Sequence, residues 1–443
     1  MIRNREALAT SRARRVALAC VERGIAAARP ERVVGERLAV DGDRLTVGGE
    51  AYDLSAYDRV LVLGAGNAAG RVAVAVENAL GDRTDDGVVV TDRPADTALV
   101  TCAPGDHPLP SEAGAESARR VRELAERADA ETLVLGVVTG GGSALLSSPA
   151  GDVSVADLRA TTESLLAAGA PVEDLNTVRK HLSRVKGGRL ARAAAPATVV
   201  ALAFSDVVGD DPSVIASGPF AGDPTTYADA AAVVDNYGST VPESVTTHLD
   251  EGARGLRPES PAPGADAVGR VTHHVLASNR TAVEAARAAV PDDVAALVLS
   301  SRVEGEAAAA ASLHVAVAEE CLAEGDPVEP PAVLLSGGET TVTVDGDGRG
   351  GPNTTFALRA GVDLAAECPP VTVVSVDTDG VDGVSEAAGG IVDATTVDDT
   401  AAARTALEDS DAAGYLAGRD ASVETGFTGT NVNDLRVIAV GVE

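Results

Sequence analysis

The chain has 443 residues, 67 acidic against 36 basic, and its formal net charge of −31 excludes electrostatic binding to nucleic acid. Hydrophobic residues make up 45%, enough for two or three packed cores at roughly 150 residues per domain rather than a disordered acidic tail. The longest apolar stretches, 132–138 and 198–204, are far shorter than the roughly 20 residues of a membrane-spanning helix, so the expectation is a cytoplasmic protein with no membrane partner.

In chain order, residues 5–28 come first. Arg12, Arg14 and Arg15 precede the apolar run VALAC, but Glu22 and Arg23 break that run too early for a signal peptide, leaving an amphipathic first helix. RVLVLGAGNAAGRVAVAVENAL (59–80) then reads as a buried strand, a glycine turn and a helix. Gly64 and Gly66, with Asn67 after them, open that helix, where free amides and the helix dipole can hold a phosphate or carboxylate. A dinucleotide fingerprint fits less well: Ala69 takes the third glycine position, and the first acid ending the next strand is Asp92. The dull alternative is a tight turn with no ligand.

His107 lies in GDHPLP, and TLVLGVVTGGGSALL (132–146) repeats the strand-to-turn pattern. Gly140, Gly141 and Gly142 expose a run of amides able to wrap an anion, and Ser143 can cap the helix that follows. Segment 176–191, NTVRKHLSRVKGGRLA, holds Arg179, Arg184 and Arg189 together with Lys180 and Lys186, the only two lysines of the chain. A compact ammonium does for a phosphoryl oxygen what a guanidinium fork does not, so these two are candidate catalytic residues. Six residues turn a helix by about 600°, which leaves only one of them expected at the site. A strand at 198–204 runs into Ser205-Asp206, where ligands of open α/β sheets gather, and Asp206 there suits Mg²⁺.

Residues 251–270 are rich in Pro and Gly without periodicity and read as a linker, dividing an N-terminal domain at 1–250 from a C-terminal one at 271–443. In the second half, Ser336, Gly337, Gly338 and Glu339 read as another glycine turn at a strand end, and Asp379 with Asp382 as another acid pair. Hydration and turn chemistry are the competing explanation in so acidic a chain. Cys20, Cys102, Cys321 and Cys368 form no CxxC pair, hence neither a zinc site nor a disulfide framework is expected. No Walker loop and no HRD or DFG set is present.

Abundant Asp and Glu, two lysines, 2% aromatics and no tryptophan resemble the proteins of salt-in halophilic archaea. More specifically, GDHPLPSEAG (105–114), TGGGSALL (139–146), NTVRKHLSRVKGGRLA (176–191), SDVVGDDPSVIASGPFAGDPTTYADA (205–230), LLSGGETTVTV (334–344), TDGVDG (378–383) and TGTNVNDL (428–435) occur in one order that resembles the glycerate 2-kinases with a C-terminal MOFRL domain. The resemblance implies a two-domain α/β fold: a Rossmann-like N-terminal domain, a smaller C-terminal α/β domain whose MOFRL region runs over about 330–440, and an active site in the cleft between them. It implies ATP-dependent phosphorylation of D-glycerate at the 2-hydroxyl with Mg²⁺. On that basis the triphosphate lies along the glycine turns and near Asn431, Mg²⁺ is held by Asp206 or Asp379, Lys186 or Lys180 neutralises the migrating group, and Asp206 takes the hydroxyl proton. The expected partners are ATP and a sugar acid, with a homodimer allowed. Two departures stand out: Asn67 replaces the lysine of the family pattern GxGKA, and Pro352 replaces the arginine of GRGGRNQE. Either Lys180, Lys186, Arg71 or Arg349 supplies that charge from another direction, or the substrate differs, or transfer is lost. An NAD(P)H-dependent hydroxypyruvate reductase using the turn at 64–70, and a sugar-acid-binding protein without chemistry, are the alternative readings.

Overall fold

A computed structural model of the chain describes residues 1–238, 240–367 and 369–443, so Cys368 lies outside the described residues. It divides into two compact units, Pro30–Leu276 and a second made of Met1–Arg29 with Ala277–Glu443. That corrects two boundaries. Residues 1–29, read as part of the N-terminal domain, belong with the C-terminal half. Nor is 251–270 a linker: the Asp223 amide donates to the Pro261 carbonyl at 2.8 Å and the Val199 amide to the Arg270 carbonyl at 3.1 Å, so the segment is bonded onto the first unit. Prolines there end helices without freeing the chain from its neighbours.

The unit Pro30–Leu276 begins with a small antiparallel meander, β1 (Leu38–Asp41), β2 (Arg44–Val47) and β3 (Glu50–Asp53). Its main sheet contains β4 (Arg59–Ala65), β5 (Asp86–Thr91), β6 (Val100–Pro104), β7 (Thr132–Thr139), β8 (Thr198–Phe204) and β9 (Val271–Ala277), in the order β6-β5-β4-β7-β8-β9. Pairs β4/β5, β4/β7, β5/β6 and β7/β8 are parallel. This is the doubly wound order in which the first strand of the sheet lies centrally and the chain reverses direction of growth between β4 and β7. Continuous apolar runs are expected for strands covered on both faces, and every residue of β7 is buried.

In the other unit, β10 (Ala295–Glu306), β11 (Ala332–Thr341), β12 (Val371–Asp377), β13 (Gly389–Asp393), β14 (Ser422–Val423) and β15 (Asp434–Val440) form a sheet ordered β10-β11-β15-β12-β13-β14. Only β10/β11 is parallel among these pairs. Alternation sorts its side chains to two cores: Leu334, Val373, Ile438 and Val440 pack with helices on one face, while Val333, Leu335, Val374 and Val437 pack on the other with Val16, Leu18, Val21 and Ile25 of helix Arg12–Ala27. The amphipathic first helix is thus real but broken, since Ser11 caps Arg12–Ala27 by accepting the Arg14 amide after a short turn of helix at Arg5–Leu8.

Candidate active site

The ends of β4, β7 and β8 build the candidate site, at the reversal point of the sheet. β4 runs straight into helix Ala69–Leu80, and the turn between them is possible only with glycine. A methyl group on Gly64 would stand 1.8 Å from the Val137 carbonyl, and one on Gly66 1.9 Å from the Thr139 hydroxyl. Close approach to β7 therefore accounts for both glycines. The Asn67 amide donates to the Gly140 carbonyl at 2.8 Å, which locks the first turn onto the glycine triplet.

That triplet is a crowded floor. Side-chain positions at Gly140, Gly141 and Gly142 are taken respectively by the Asp206 carboxylate, the Asn67 amide and Ala216, at 2.3, 1.8 and 2.6 Å. The ring of His107 comes within 3.0 Å of the same point on Gly141, whose φ of +75° already favours glycine. Sequence reading named Asn67, His107, Asp206 and Gly140 to Gly142 separately, and the fold brings them together. Asn67 Oδ1 is buried with no hydrogen-bond partner among the described residues. A buried, unpaired amide directed at a strand-end turn is a group waiting for a ligand.

Asp206 is half-buried. Burial raises its pKa from 3.8 to about 6, against the opposing pull of its own amide and that of Gly141. A carboxyl tuned to that range exchanges protons near neutral pH. Its neighbour in sequence, Asp211, does turn chemistry instead, accepting the Ser213 amide at 2.8 Å.

Beside the triplet, Ser143 shares a hydrogen bond with Ser217 at 2.7 Å, and Ser217 donates to Asn176 at 2.8 Å. Ala216 and Ser217 both have positive φ, +51° and +60°, a strained stretch of the kind that persists where a site needs it. Neither Ser217 nor Asn176 was singled out from sequence; the signals were the blocks 205–230 and 176–191 as wholes, which hide which serine and which amide point inward. Ser143, Arg179 and Lys186 line one narrow crevice.

The two lysines part company. The expected single helix through 176–191 ends at His181, and Arg189–Ala194 is a separate helix after the left-handed Gly187 and Gly188. Lys186 is buried, donates to the Leu146 carbonyl at 2.5 Å, and has its pKa lowered to about 7 by burial and then by Arg179. Lys180 points elsewhere, buried and 3.4 Å from the buried carboxylate of Asp223. The ammonium read as a candidate catalytic group is here matched to a buried acid.

The second glycine run is also corrected. Ser336 to Glu339 lie inside β11, not at its end, and their backbones pair with β10 and β15. A methyl group on Gly337 would stand 1.9 Å from Asn279 Oδ1, and one on Gly338 2.3 Å from the Val303 backbone. Close packing, not an anion, requires these glycines. Ser336 is fully buried and bonded to His314 at 2.8 Å, while Glu339 is exposed. Asp379 accepts the Val381 amide at 2.7 Å and Asn431 the Asn433 amide at 2.9 Å, both local turns. Asp382 accepts the amides of Asn353 and Thr354 at 2.9 and 2.7 Å, capping helix Pro352–Glu367 from outside. Among the described residues, no group of three or more His, Cys, Asp or Glu could hold a metal, and Cys20, Cys102 and Cys321 are free thiols. No helix is long and apolar enough to cross a membrane among the described residues.

Comparison with known proteins follows these elements closely. Residues 16–250 match the family described as a domain of unknown function, DUF4147, and residues 332–434 match the MOFRL family. A putative hydroxypyruvate reductase of Agrobacterium vitis is 40% identical over 392 residues, covering 86% of this chain and 87% of that protein. Glycerate 2-kinase of Pyrococcus horikoshii is 38% identical over 440 residues, 96% of this chain and 97% of that one. The crystal structure of a glycerate kinase from Thermotoga maritima superposes with a TM-score of 0.81 at 35% identity, covering 96% of this chain and 99% of that chain.

Proposed function

The chain belongs to the glycerate 2-kinase family, and on that premise we propose that it transfers the terminal phosphoryl group of ATP to the 2-hydroxyl of D-glycerate. The observation that carries the assignment to particular residues is the Asp206 carboxyl seated against the amide-lined turn of Gly140 and Gly141. Phosphoryl transfer asks little of a protein beyond positioning and charge neutralisation. The glycine turn supplies amides for phosphate oxygens. Asp206 accepts the proton of the 2-hydroxyl as its oxygen bonds to phosphorus and the bond to the ADP oxygen breaks.

Lys186 answers the charge of the phosphate. Near pH 7 burial leaves its amine only partly protonated, and an arriving phosphate reverses that balance by pairing with the ammonium. Asn67, where the family pattern has lysine, offers a neutral amide that can turn its NH₂ toward an oxyanion. Mg²⁺ fits at Asp206, because that ion binds through one or two carboxylates and takes its other ligands from water and phosphate. When bound it neutralises phosphate charge. ATP supply places the reaction in the cytoplasm.

The name hydroxypyruvate reductase among the relatives raises the nicotinamide alternative, but Thr139 fills the space over Gly66 where a pyrophosphate would approach a dinucleotide turn. An ADP-release assay in molar KCl over D-glycerate and related aldonic and 2-keto acids tests the reading, with phosphorus NMR to locate the new ester. Release of ADP with D-glycerate and a 2-phosphate product is expected. Oxidation of NADH by hydroxypyruvate with no ADP release from any acid would overturn it.

A further inference from the structure

A second pocket in the unit Pro30–Leu276 carries charge of the opposite sign to the rest of the molecule. It encloses about 760 Å³ of non-atom space, the mouth included, and is lined by Arg122, Arg184, Arg189, Arg192, Arg257 and His248. Glu126 is its one acidic wall residue, in a chain where acids outnumber bases 67 to 36. Some of these cations are already engaged: Arg122 with Glu126, and Arg257 with Glu251 at 2.6 Å. Arg192 donates to the Glu259 carbonyl at 3.1 Å, and Arg189 to the Tyr227 hydroxyl at 3.3 Å and the Pro258 carbonyl at 3.5 Å, all neutral partners. Arg184 is exposed, and no ion pair or side-chain hydrogen bond engages it among the described residues. Arg189 is buried, and its Nε, like that of Arg122, has no partner among the described residues. Crowding cations this way is unfavourable without an anion, and burial together with Arg189 already lowers the pKa of Arg192.

His248 adds a requirement of a different kind. It is 2% exposed, and its Nε2 lies 3.1 Å from the His181 carbonyl, to which it must donate. Nδ1 is then a lone-pair acceptor, and it is buried without a partner. The pocket shares Ser183 with the crevice of Lys186 and reaches from there to the starts of the strands, away from the glycine turns at their ends. Arg122 and Glu126 end the helix that feeds the start of β7, and Arg192 lies in the helix that feeds the start of β8. Strands of seven or eight residues separate those starts from the strand ends by roughly 25 Å.

We propose that this pocket is a separate binding site for a phosphate-type dianion that carries an O–H group, its oxygens held by the arginines and its hydroxyl donated to Nδ1 of His248. The proposal does not depend on the transfer chemistry, because its measurement is binding. The probe is inorganic phosphate, with sulfate as the contrast: equal in shape and charge, but without a proton to donate. Titration calorimetry on the full chain at one fixed KCl concentration, at a pH where phosphate is the monohydrogen dianion, should give phosphate the tighter binding by about tenfold or more. Arg192→Gln and Arg184→Gln, compared by ligand-free melting to confirm folding, should each weaken phosphate at this pocket by about tenfold, and Lys186→Gln should remove at most the binding at the glycine turns and leave this phase of the titration unchanged. Stronger competition by a phosphorylated hydroxy acid than by phosphate itself would identify an ester as the occupant, and weaker competition free phosphate. Equal affinity for sulfate, loss of the pocket's phase in Lys186→Gln, or indifference to both arginine changes would overturn the proposal.

Discussion

Two glycine runs in this chain look alike in sequence and have opposite fates. Gly140 to Gly142 end a parallel strand, and what crowds them is chemistry: a carboxylate, an unpaired amide and an imidazole. Gly337 and Gly338 stand in mid-strand, where the ladder to β10 and β15 consumes the backbone and an asparagine and a valine backbone take the side-chain space. Missing side chains therefore announce close approach in both places; what approaches decides whether the place is a site.

The sharpest way to break this contrast is Asp206→Asn. Loss of the proton acceptor should lower kcat by about 10²–10⁴, and the limb of the pH profile near pH 6 should vanish with it. Stability should move the other way. A carboxyl whose folded pKa is raised binds protons more readily folded than unfolded, so its ionisation removes stability as pH rises from about 4 to 6, and the variant should be more stable than the parent at neutral pH. Unchanged kcat would return Asp206 to the role of packing.

Lys186→Gln comes next, with a fall in kcat of about 10²–10³. Its folded pKa is depressed, so the buried ammonium costs stability below about pH 7 and that cost fades from there to the unfolded value; the variant should melt higher at pH 6. Lys180→Met should do the opposite to stability and little to rate: a loss of about 3 kcal/mol, because the buried Asp223 loses its cation and is left with the neutral donors of Thr225, with kcat within about twofold once folded. Equal kinetic damage from both lysine changes would show that the ion pair with Asp223 is not the whole role of Lys180. Smallest is Gly337→Ala, expected to cost about 1–3 kcal/mol by urea unfolding with KM for ATP unaltered. A raised KM there would place phosphate on the second run after all.

Much of this fold was legible because its signals are local. Strand, glycine turn and helix at 59–80 and 132–146 came out as read, since apolar runs of that length bounded by glycine have few other homes. The second glycine run misled because a strand interior and a strand end can share one sequence; only the partner strands, far away in the chain, tell them apart. The ion pair at position 180 was illegible for a related reason, as nothing near it in sequence announces Asp223. The arginine pocket escaped notice altogether, its residues being drawn from six separated stretches between 122 and 258.

One consequence follows from the helix Arg12–Ala27, which completes a core with strands from the far end of the chain. The segment Pro30–Leu276 is a compact unit in itself and emerges from the ribosome ahead of Ala277–Glu443, so it can close while synthesis continues. The opening helix has no such option: its partners in the last strand, Leu435 and Val437, arrive about 400 residues later, roughly 20–80 s at usual translation speeds. Throughout that wait its apolar face is an orphan, which the unit Pro30–Leu276, with its own core, never is.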